Sequence, residues 1–172
     1  MFRKATLKDL ESINEIYNDI HTSEENGCAS TNWKRGVYPT IKTAECAVLD
    51  GDMFVEVDHG VIVASARINQ VQVAEYAYAG WSFDAPDNEV MVLHTLAVSP
   101  KLKGKGYGSK FVEFYERYAL EHGCRYLRMD TWENNFAARS LYKKLGYREI
   151  GIVVSEFCGI SGFRLVCLEK KL

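Results

Sequence analysis

The sequence predicts an α/β (α+β) fold in which a central sheet of about six to seven strands is flanked by about four helices. Short apolar runs bounded by turn residues alternate with longer segments of helical periodicity. An apolar run that starts near Leu93 leads through a glycine-rich turn into another helical pattern. The 172 residues, 47% of them hydrophobic and 26% charged, are enough for one domain with a substantial core. We expect this single domain to span residues 1–172.

The first third of the chain predicts one strand and two helices. The strand covers residues 2–5, and Thr6 caps a helix over residues 7–22, where apolar residues recur at helical spacing. A less regular helical region follows, which is interrupted at Pro39 and resumes over residues 40–49.

Turn signals after residue 49 predict a hairpin with strands at 53–57 and 61–69. The segment 70–88 is rich in aromatic residues and has no clear period. Its length favours an ordered loop or short helix over the site, and a β-hairpin extension packed on the sheet is the alternative. The remaining predicted elements are strands at 89–98, 125–132, 147–156 and 163–170 and helices at 108–122 and 135–146.

Composition and charge exclude several classes of partner. A formal net charge of −2 and a pI near 6.1 argue against nucleic acid. No apolar run reaches the length of a membrane span, and the N-terminus lacks the apolar core of a signal peptide, so no membrane partner is expected. The cysteines are odd in number and scattered, which predicts reduced thiols in a cytoplasmic protein, and their spacing to the histidines fits no metal site. The cysteines are residues 28, 46, 124, 158 and 167, and the histidines are residues 21, 59, 94 and 122.

The turn after the apolar run predicts an anion site. Glycines at 104, 106 and 108 alternate with lysines at 103 and 105 and directly precede a helical pattern. A helix N-terminus presents N–H groups without internal partners, glycines let the backbone approach a ligand, and lysines add positive charge. The spacing matches neither the P-loop nor the Gly-x-Gly-x-x-Gly dinucleotide motif. We therefore expect a phosphate or pyrophosphate site between Lys101 and Lys110, with a solvated basic turn as the alternative.

The same turn carries a family resemblance. Lys103-Gly104-Lys105-Gly106-Tyr107-Gly108 resembles the (Arg/Gln)-x-x-Gly-x-(Gly/Ala) pyrophosphate loop of the GCN5-related N-acetyltransferases (GNAT), and Leu96-Ala97-Val98-Ser99-Pro100 resembles the end of that family's fourth strand. Lys103 departs from the pattern, since lysine lacks the planar fork of arginine. The resemblance implies the GNAT fold, with a mixed sheet splayed at the strand preceding the loop, and acetyl-CoA (coenzyme A) as cofactor. It implies cofactor contacts from Leu96, Ala97, Val98, Lys103, Gly104, Lys105, Gly106, Tyr107, Gly108 and Ser109.

A second stretch, from Asn134 to Tyr147, resembles the family's Asn-x-x-Ala-x-x-x-Tyr-x-x-x-Gly-Phe signature. Asn135, Ala138 and Tyr142 lie at i, i+3 and i+7, so they share one face of the predicted helix. The resemblance implies that Asn135 and Ala138 contact the cofactor and that Tyr142 protonates the leaving sulfur. A phenol suits this role because its pKa is close to that of a thiol. The alternatives are a core aromatic residue for Tyr142 and a helix cap for Asn135.

The attacking amine must lose a proton, so a base near the thioester is expected. His94 is the first candidate, because it lies two residues before Leu96 and histidine titrates near neutrality. Glu89 is the second candidate for the base. In the family that the sequence resembles, the base is a histidine, a glutamate on this strand or an ordered water. A hydrogen-bonded core histidine is the alternative for His94. No cysteine coincides with a motif position, which favours direct attack over a covalent acyl-enzyme.

These residues predict an N-acetyltransferase that moves an acetyl group from acetyl-CoA to a primary amine. The aromatic residues Trp33, Tyr38 and Trp81 suit a small cationic amine through cation–π contact, while core or surface packing is the other interpretation. A small-molecule acceptor is the first expectation. The alternatives are a protein or peptide N-acetyltransferase and a CoA-binding or ligand-sensing module without turnover. Many relatives form dimers through their last strands, so the resemblance also makes a homodimer an option.

Overall fold

The computed structural model describes residues 1–28, 30–157 and 160–172. For residues 157, 160 and 161 it describes the backbone only. Apart from a helical region expected ahead of residue 39, strands and helices follow one another in the order that the sequence pattern predicts. The strands are β1 (Phe2–Lys4), β2 (Met53–Asp58), β3 (Val61–Asn69), β4 (Val90–Val98), β5 (Tyr126–Trp132), β6 (Arg148–Phe157) and β7 (Ile160–Lys171). The α-helices are α1 (Leu10–Glu25), α2 (Ile41–Leu49), α3 (Tyr107–Glu121) and α4 (Phe136–Lys144). Short 3-10 helices cover Leu7–Asp9, Ala74–Tyr78, Asp87–Glu89 and Pro100–Leu102.

The described strands form one mixed sheet in the order β1-β2-β3-β4-β5-β7-β6. Neighbouring strands are antiparallel except for β4 and β5, which are parallel. These two strands pair only from Val90–Tyr126 to Leu93–Met129, and beyond that point β5 continues alongside β7 alone. The predicted fold class, the mixed sheet and the splay at the strand before the glycine turn are therefore confirmed.

A β-bulge lies where β4 parts from β5. Thr95 has a φ of 54°, and the register between β3 and β4 shifts between Ser65 and Arg67. A β-branched residue rarely adopts this left-handed conformation, so the neighbours of Thr95 must hold it there. One of them is Tyr38, whose hydroxyl group shares a hydrogen bond with Thr95 Oγ1.

Helices cover both faces of the sheet. α3 and α4 pack on one face, where Phe54 of β2 and Phe111 of α3 belong to a large buried cluster. α1 and α2 cover the other face, where Met53 of β2 packs with Ile13. Successive strand residues point to opposite faces, which explains why two neighbours on β2 join different clusters. The 3-10 helix Ala74–Tyr78 packs in a third cluster with residues of β4 to β7.

Residues 30–40, which precede α2, are irregular rather than helical. A bridge pairs Lys34 with Tyr38, and α2 begins only after Thr40, whose side chain caps it. The Glu24 carboxylate accepts hydrogen bonds at 2.7–3.1 Å from the amide N–H groups of residues 30–32, which takes the place of helical hydrogen bonds. The helical region expected ahead of the proline at 39 is therefore wrong, whereas the helix after it is confirmed.

The segment 70–88 is an ordered connection that carries two of the 3-10 helices. The first of them, Ala74–Tyr78, buries Tyr76 against the sheet. No strand lies between β3 and β4 in the described chain, so the hairpin alternative for this segment is wrong and the ordered-loop interpretation holds.

The described cysteines, Cys28, Cys46, Cys124 and Cys167, carry free thiols. Cys158 and Gly159, the latter in the turn expected between the last two strands, lie outside the described residues. Within the described ranges, no three or more His, Cys, Asp or Glu side chains are grouped so as to hold a metal ion. None of the helices in the described chain has the length and apolar character needed to cross a membrane.

Candidate active site

A cleft opens where β4 and β5 part. Its walls come from the connections before α2 and before β4, from strands β4 to β7 and from α4. The cavity measures about 150 Å³, comparable to a cavity that holds a benzene-sized molecule. Because α4 and the α1–α2 connection lie on opposite faces, the cleft passes through the sheet at the splay. The predicted site residues that line it are Trp33, Tyr38, His94, Leu96, Asn135, Ala138 and Tyr142.

Tyr142 reaches the cleft from α4. Its side chain is only 6% exposed, and its ring packs near Tyr147 with the centroids 6.0 Å apart. The hydroxyl group has no hydrogen-bond partner among the described residues. Burial raises the pKa of Tyr142, and the charge of Asp130 raises it further, so the phenol is protonated at neutral pH. A protonated and unpaired hydroxyl group that lines a cleft is available as a proton donor.

Asn135 caps α4. Its Oδ1 accepts a hydrogen bond from the Ala138 N–H at 3.1 Å, and its Nδ2 donates to Thr131 Oγ1 at 3.1 Å. The cap interpretation is therefore confirmed, and a contact with a cofactor stays a prediction. Ala138 and Tyr142 follow along the same helix and line the cleft with Asn135.

The glycines of the turn before α3 meet two different structural needs. Gly104 and Gly106 have φ values of 82° and 81°, a left-handed conformation that glycine adopts readily. A Cβ atom at either position would meet no atom within 4 Å, so the surface beside them is open. Gly108 differs, because a Cβ there would lie 3.2 Å from Leu141 Cδ2. Its small size therefore lets α3 start close to α4.

The start of α3 presents donors to solvent. Gly108 and Ser109 lie in its first turn, where the helix supplies no acceptor for their N–H groups. Lys103 and Lys105 are exposed on the turn that precedes them. This arrangement offers positive charge and backbone donors to an anion.

Tyr107 anchors the glycine turn. Its side chain is buried, and its hydroxyl group donates a hydrogen bond to Asp58 at the end of β2 with an O–O distance of 2.5 Å. The Lys110 ammonium lies 5.0 Å from the centroid of the Tyr107 ring. Tyr107 therefore holds the turn through its side chain, and only its backbone N–H remains for a ligand.

Residues 94–98 of β4 have no strand partner on the β5 side. On the other side, Ala97 and Val98 pair with β3. Leu96 lines the cleft, whereas the side chains of Ala97 and Val98 pack in the core clusters. The unpaired edge of β4 therefore offers backbone N–H and C=O groups to an extended ligand, in the manner of an added strand.

His94 lines the cleft, but one side of its ring is already engaged. Its Nε2 lies 3.1 Å from Asn69 Oδ1 and 3.1 Å from the Val71 carbonyl oxygen. A carbonyl oxygen only accepts, so Nε2 carries the hydrogen and Nδ1 keeps the lone pair. Burial and, after it, the charge of Arg67 lower the pKa of His94 to about 4. His94 is therefore a neutral, hydrogen-bonded residue and a weak base.

Of the residues predicted for acid–base chemistry or for acceptor binding, Glu89 and Trp81 do not line the cleft. Glu89 precedes β4 and lines a shallow depression beside the end of α3, five residues or roughly 16 Å along the strand from His94. Trp81 packs on the guanidinium group of Arg128 at 4.3 Å, and its Nε1 donates to the Tyr76 carbonyl oxygen at 2.9 Å. The structure therefore brings neither Glu89 nor Trp81 to the reacting groups.

The connection between α1 and α2 brings Trp33 and Tyr38 to the cleft. Their rings pack edge to face with the centroids 6.0 Å apart. The connection is tied to β4 through Tyr38 and Thr95 and to α1 through His21, whose Nε2 lies 3.0 Å from the Pro39 carbonyl oxygen. Two of the three aromatic residues expected at an acceptor site thus lie in one wall.

Two carboxylates in the cleft are missed by sequence reasoning. They are Asp130 of β5 and Glu75 of the 3-10 helix Ala74–Tyr78. Tyr76 donates its hydroxyl hydrogen to Asp130 Oδ2 at 2.8 Å, and Ser155 donates to Glu75 Oε1 at 2.6 Å. Burial raises the pKa of Asp130 to about 6; the hydrogen bond from Tyr76 opposes this shift and the charge of Glu75 adds to it. An acidic residue inside a largely apolar strand is a usable signal for Asp130, whereas nothing local marks Glu75.

Solved structures share this fold over the whole chain. A GNAT family acetyltransferase from Streptococcus agalactiae 2603 superposes with a TM-score of 0.84 at 20% sequence identity, covering 100% of this chain and 95% of the other. The protein yncA from Salmonella typhimurium, solved with its cofactor acetyl-CoA, has a TM-score of 0.69 at 20% identity, covering 100% of this chain and 93% of the other. At this level of identity the likeness is one of fold.

Similarity of sequence covers a shorter stretch. The thialysine N-epsilon-acetyltransferase of Bos taurus is 31% identical over 78 residues, which are 45% of this chain and 46% of the relative. The enzyme of the same name from Sus scrofa matches over 41% of its length, so the chain spans less than half of these curated relatives. The model of the acetyltransferase (GNAT) family matches residues 10–147. Because this match extends over most of the chain and includes both motifs, the chain belongs to the GNAT family.

Proposed function

We propose that this protein is an N-acetyltransferase that transfers the acetyl group of acetyl-CoA to a primary amine of a small molecule by direct attack. The observation that carries the proposal is the unpaired Tyr142 hydroxyl group at a cleft that connects the two faces of the sheet. Family membership supports acetyl transfer, and the acetyl-CoA in the yncA structure supports the cofactor.

The residues present fit coenzyme A. The open, basic glycine turn and the free N–H groups at the start of α3 suit a pyrophosphate group. The unpaired edge of β4 at 94–98 suits the amide groups of pantetheine. When bound, acetyl-CoA supplies an acetyl group activated as a thioester. Asn135, the cap of α4, and Ala138 line the cleft, and we assign them contacts with the pantetheine arm.

Proton transfer is assigned to three cleft residues. The ammonium form of the acceptor must lose a proton, and Asp130, with a pKa of about 6, is a carboxylate at neutral pH that can receive it. His94 is the weaker base, because its pKa is about 4 and its Nε2 is engaged. Tyr142 holds its proton at neutral pH and delivers it to the leaving sulfur as the C–S bond breaks, and the second proton that the nitrogen loses on forming the amide restores the phenol. The proposal therefore moves the base from His94 to Asp130 and keeps Tyr142 as the acid.

Three expectations from the sequence belong to the same proposal. We propose that residues 1–172 act as a single domain in the cytoplasm and that the last strands mediate a homodimer. The exposed free thiols of Cys28 and Cys46 suit a reducing compartment. Sedimentation equilibrium of the purified protein measures the assembly state directly.

The test of the proposed function is a thiol-release assay with acetyl-CoA and a panel of primary amines. We expect sustained release of CoA above the rate without amine, with the acetylated amine identified by mass spectrometry. A ligand-sensing module would bind CoA and give no release above the blank, and that result would overturn the proposal. Release with peptides alone would assign the protein to the protein N-acetyltransferases instead.

A further inference from the structure

The acceptor side of the cleft is acidic. Asp130 and Glu75 contribute carboxylates, and no lysine or arginine is found among the lining residues that the structure describes. Trp33, Tyr38 and Trp132 contribute aromatic residues to the same wall. Carboxylates and the faces of aromatic rings both attract cations, so this part of the cleft favours positively charged ligands.

Each of the two carboxylates accepts a hydrogen bond from a hydroxyl group of the protein. The Tyr76 hydroxyl group donates to Asp130 at 2.8 Å, and the Ser155 hydroxyl group donates to Glu75 at 2.6 Å. Tyr76 is 3% exposed in a buried cluster, which fixes the short helix that carries Glu75. Neither carboxylate forms an ion pair within the described ranges, and an ionised carboxylate has several acceptor positions. Both therefore keep lone pairs for a ligand.

The two carboxylates have different neighbours. Asp130 lies on β5, and its charge raises the pKa of Tyr142, so it is close to the proton donor. Glu75 lies in the wall formed by the connection before β4 and contacts Ser155 of β6. Tyr142, nine-tenths buried and without a hydrogen-bond partner among the described residues, marks the reacting end of the cleft. The charge of Glu75 acts on Asp130 as well, so the two carboxylates face the same part of the cleft, and a ligand that neutralises both must carry two positive charges.

We propose that the acceptor carries a second positive charge and that Glu75 binds it. This inference rests on the proposed function, in which Asp130 takes a proton from the reacting nitrogen and Tyr142 protonates the leaving sulfur. A monoamine neutralises only one of the two negative charges, whereas a diamine neutralises both. An acceptor with a carboxylate of its own is disfavoured, because no basic lining residue offsets the repulsion. The acceptor class is therefore an aliphatic diamine or larger polycation without an anionic group.

The test measures binding of three probes to the CoA-loaded protein by calorimetry: 1,4-diaminobutane, 1-aminobutane and 4-aminobutanoate. We expect the diamine to bind about 10- to 100-fold more tightly than the monoamine, as a hydrogen bond to a charged group would give. We expect 4-aminobutanoate to bind most weakly. Glu75→Gln should reduce the affinity for the diamine to that for the monoamine. The matched control is Glu45→Gln, which removes the same charge from an exposed position on α2 and should keep the difference.

The outcomes separate the inference from the function on which it rests. Diamine binding that depends on Glu75, with no thiol release for any amine, would support the binding site and overturn the transferase. Turnover of mono- and diamines with equal kcat/KM, unchanged in the Glu75→Gln variant, would support the transferase and overturn the inference. Absence of diamine binding would overturn it as well.

A second variant covers the case in which Glu75→Gln fails to fold. Ser155→Ala keeps the carboxylate and removes the hydrogen bond that orients it. We expect it to weaken diamine binding about threefold and to leave monoamine binding unchanged. Equal effects on both probes would contradict a role for Glu75 in binding the second charge.

Discussion

In the proposed function, the two sides of the cleft recognise ligands in different ways. The cofactor side consists of the glycine turn, the start of α3 and the unpaired edge of β4, and it offers mainly backbone groups. The acceptor side offers side chains, among them Asp130, Glu75, Trp33 and Tyr38. Backbone groups suit a ligand that a whole family shares, whereas side chains can change while the fold stays the same. Specificity for the acceptor is therefore expected from residues outside the two sequence motifs.

Tyr142 lies where the two sides meet, and its loss should have the largest effect. We expect Tyr142→Phe to lower kcat by about 100- to 1,000-fold, because the leaving sulfur loses its proton donor. CoA affinity should stay within about threefold, since the backbone groups of the cofactor side are unchanged. Steady-state kinetics and calorimetry with CoA measure the two quantities.

The control for this variant is Tyr147→Phe. Tyr147 is buried next to Tyr142, but its hydroxyl group has no part in lining the cleft. We expect near wild-type kcat for Tyr147→Phe. If kcat and CoA affinity fell together in Tyr142→Phe, the tyrosine would belong to the cofactor side alone and the acid role would be wrong.

Asp130→Asn tests whether the acceptor side works through its charge. The folded-state pKa of Asp130 is about 6, so the carboxylate that we propose as the base is protonated as the pH falls through about 6. We expect wild-type kcat/KM to fall in that range, and the variant to be roughly 10- to 100-fold slower at pH 7.5 with a flatter profile. An unchanged pH profile in the variant would return the base to His94 or to water.

Asp130→Asn should also be more stable than the wild-type protein. A charge whose removal stabilises the fold does not serve the fold, so this gain would indicate that the Asp130 charge serves function. The pKa of Asp130 is higher in the folded protein than the ordinary value of 3.8, so its ionisation destabilises the fold as the pH rises from about 4 to about 6. At pH 7, Asp130→Asn should raise the free energy of unfolding by about 2–3 kcal/mol. Urea unfolding should show this gain at pH 7 and almost none at pH 4, and an equal gain at both values would contradict the assignment.

The residues of the cofactor side could be predicted from the sequence because they are contiguous within each of the two motifs. Gly104, Gly106 and Gly108 follow a strand and precede a helix, and Asn135 and Tyr142 lie on one helix. Local spacing therefore fixes their relative positions. The order of strands and helices was predictable for the same reason, since periodicity and turn residues are local signals.

The acceptor side comes from segments that are far apart in the sequence. Trp33 and Glu75 belong to connections without regular periodicity, and Ser155 lies on β6 beyond both motifs. Their proximity depends on the long-range pairing of the strands, which no local pattern encodes. His94 shows a second limit, because the sequence places it on the correct strand but cannot show that Val71 engages its ring.

Gly106→Ala tests whether the cofactor side depends on backbone conformation. A side chain in the left-handed conformation at a φ of 81° costs about 1 kcal/mol, and relaxation of the turn moves its N–H groups. We expect CoA affinity to fall about 5- to 10-fold. Gly123→Ala is the matched control, since Gly123 has a φ of 76° and equal space at the other end of α3. Both variants should lose similar stability, and a similar loss of CoA affinity in Gly123→Ala would mean that the effect is global.

Lys103→Ala should have the smallest effect, because it removes charge from the cofactor side without touching its backbone. The side chain is exposed at the position where the family has arginine or glutamine, and an exposed charge contributes little in water. We expect CoA affinity to change less than about threefold, with Lys8→Ala, an exposed lysine far from the turn in sequence, as the control for net charge. Calorimetry with CoA at low and high salt separates local from general charge effects. A loss above about tenfold that disappears in high salt would show that Lys103 contacts the pyrophosphate, and the cofactor side would then depend on a side chain as the acceptor side does.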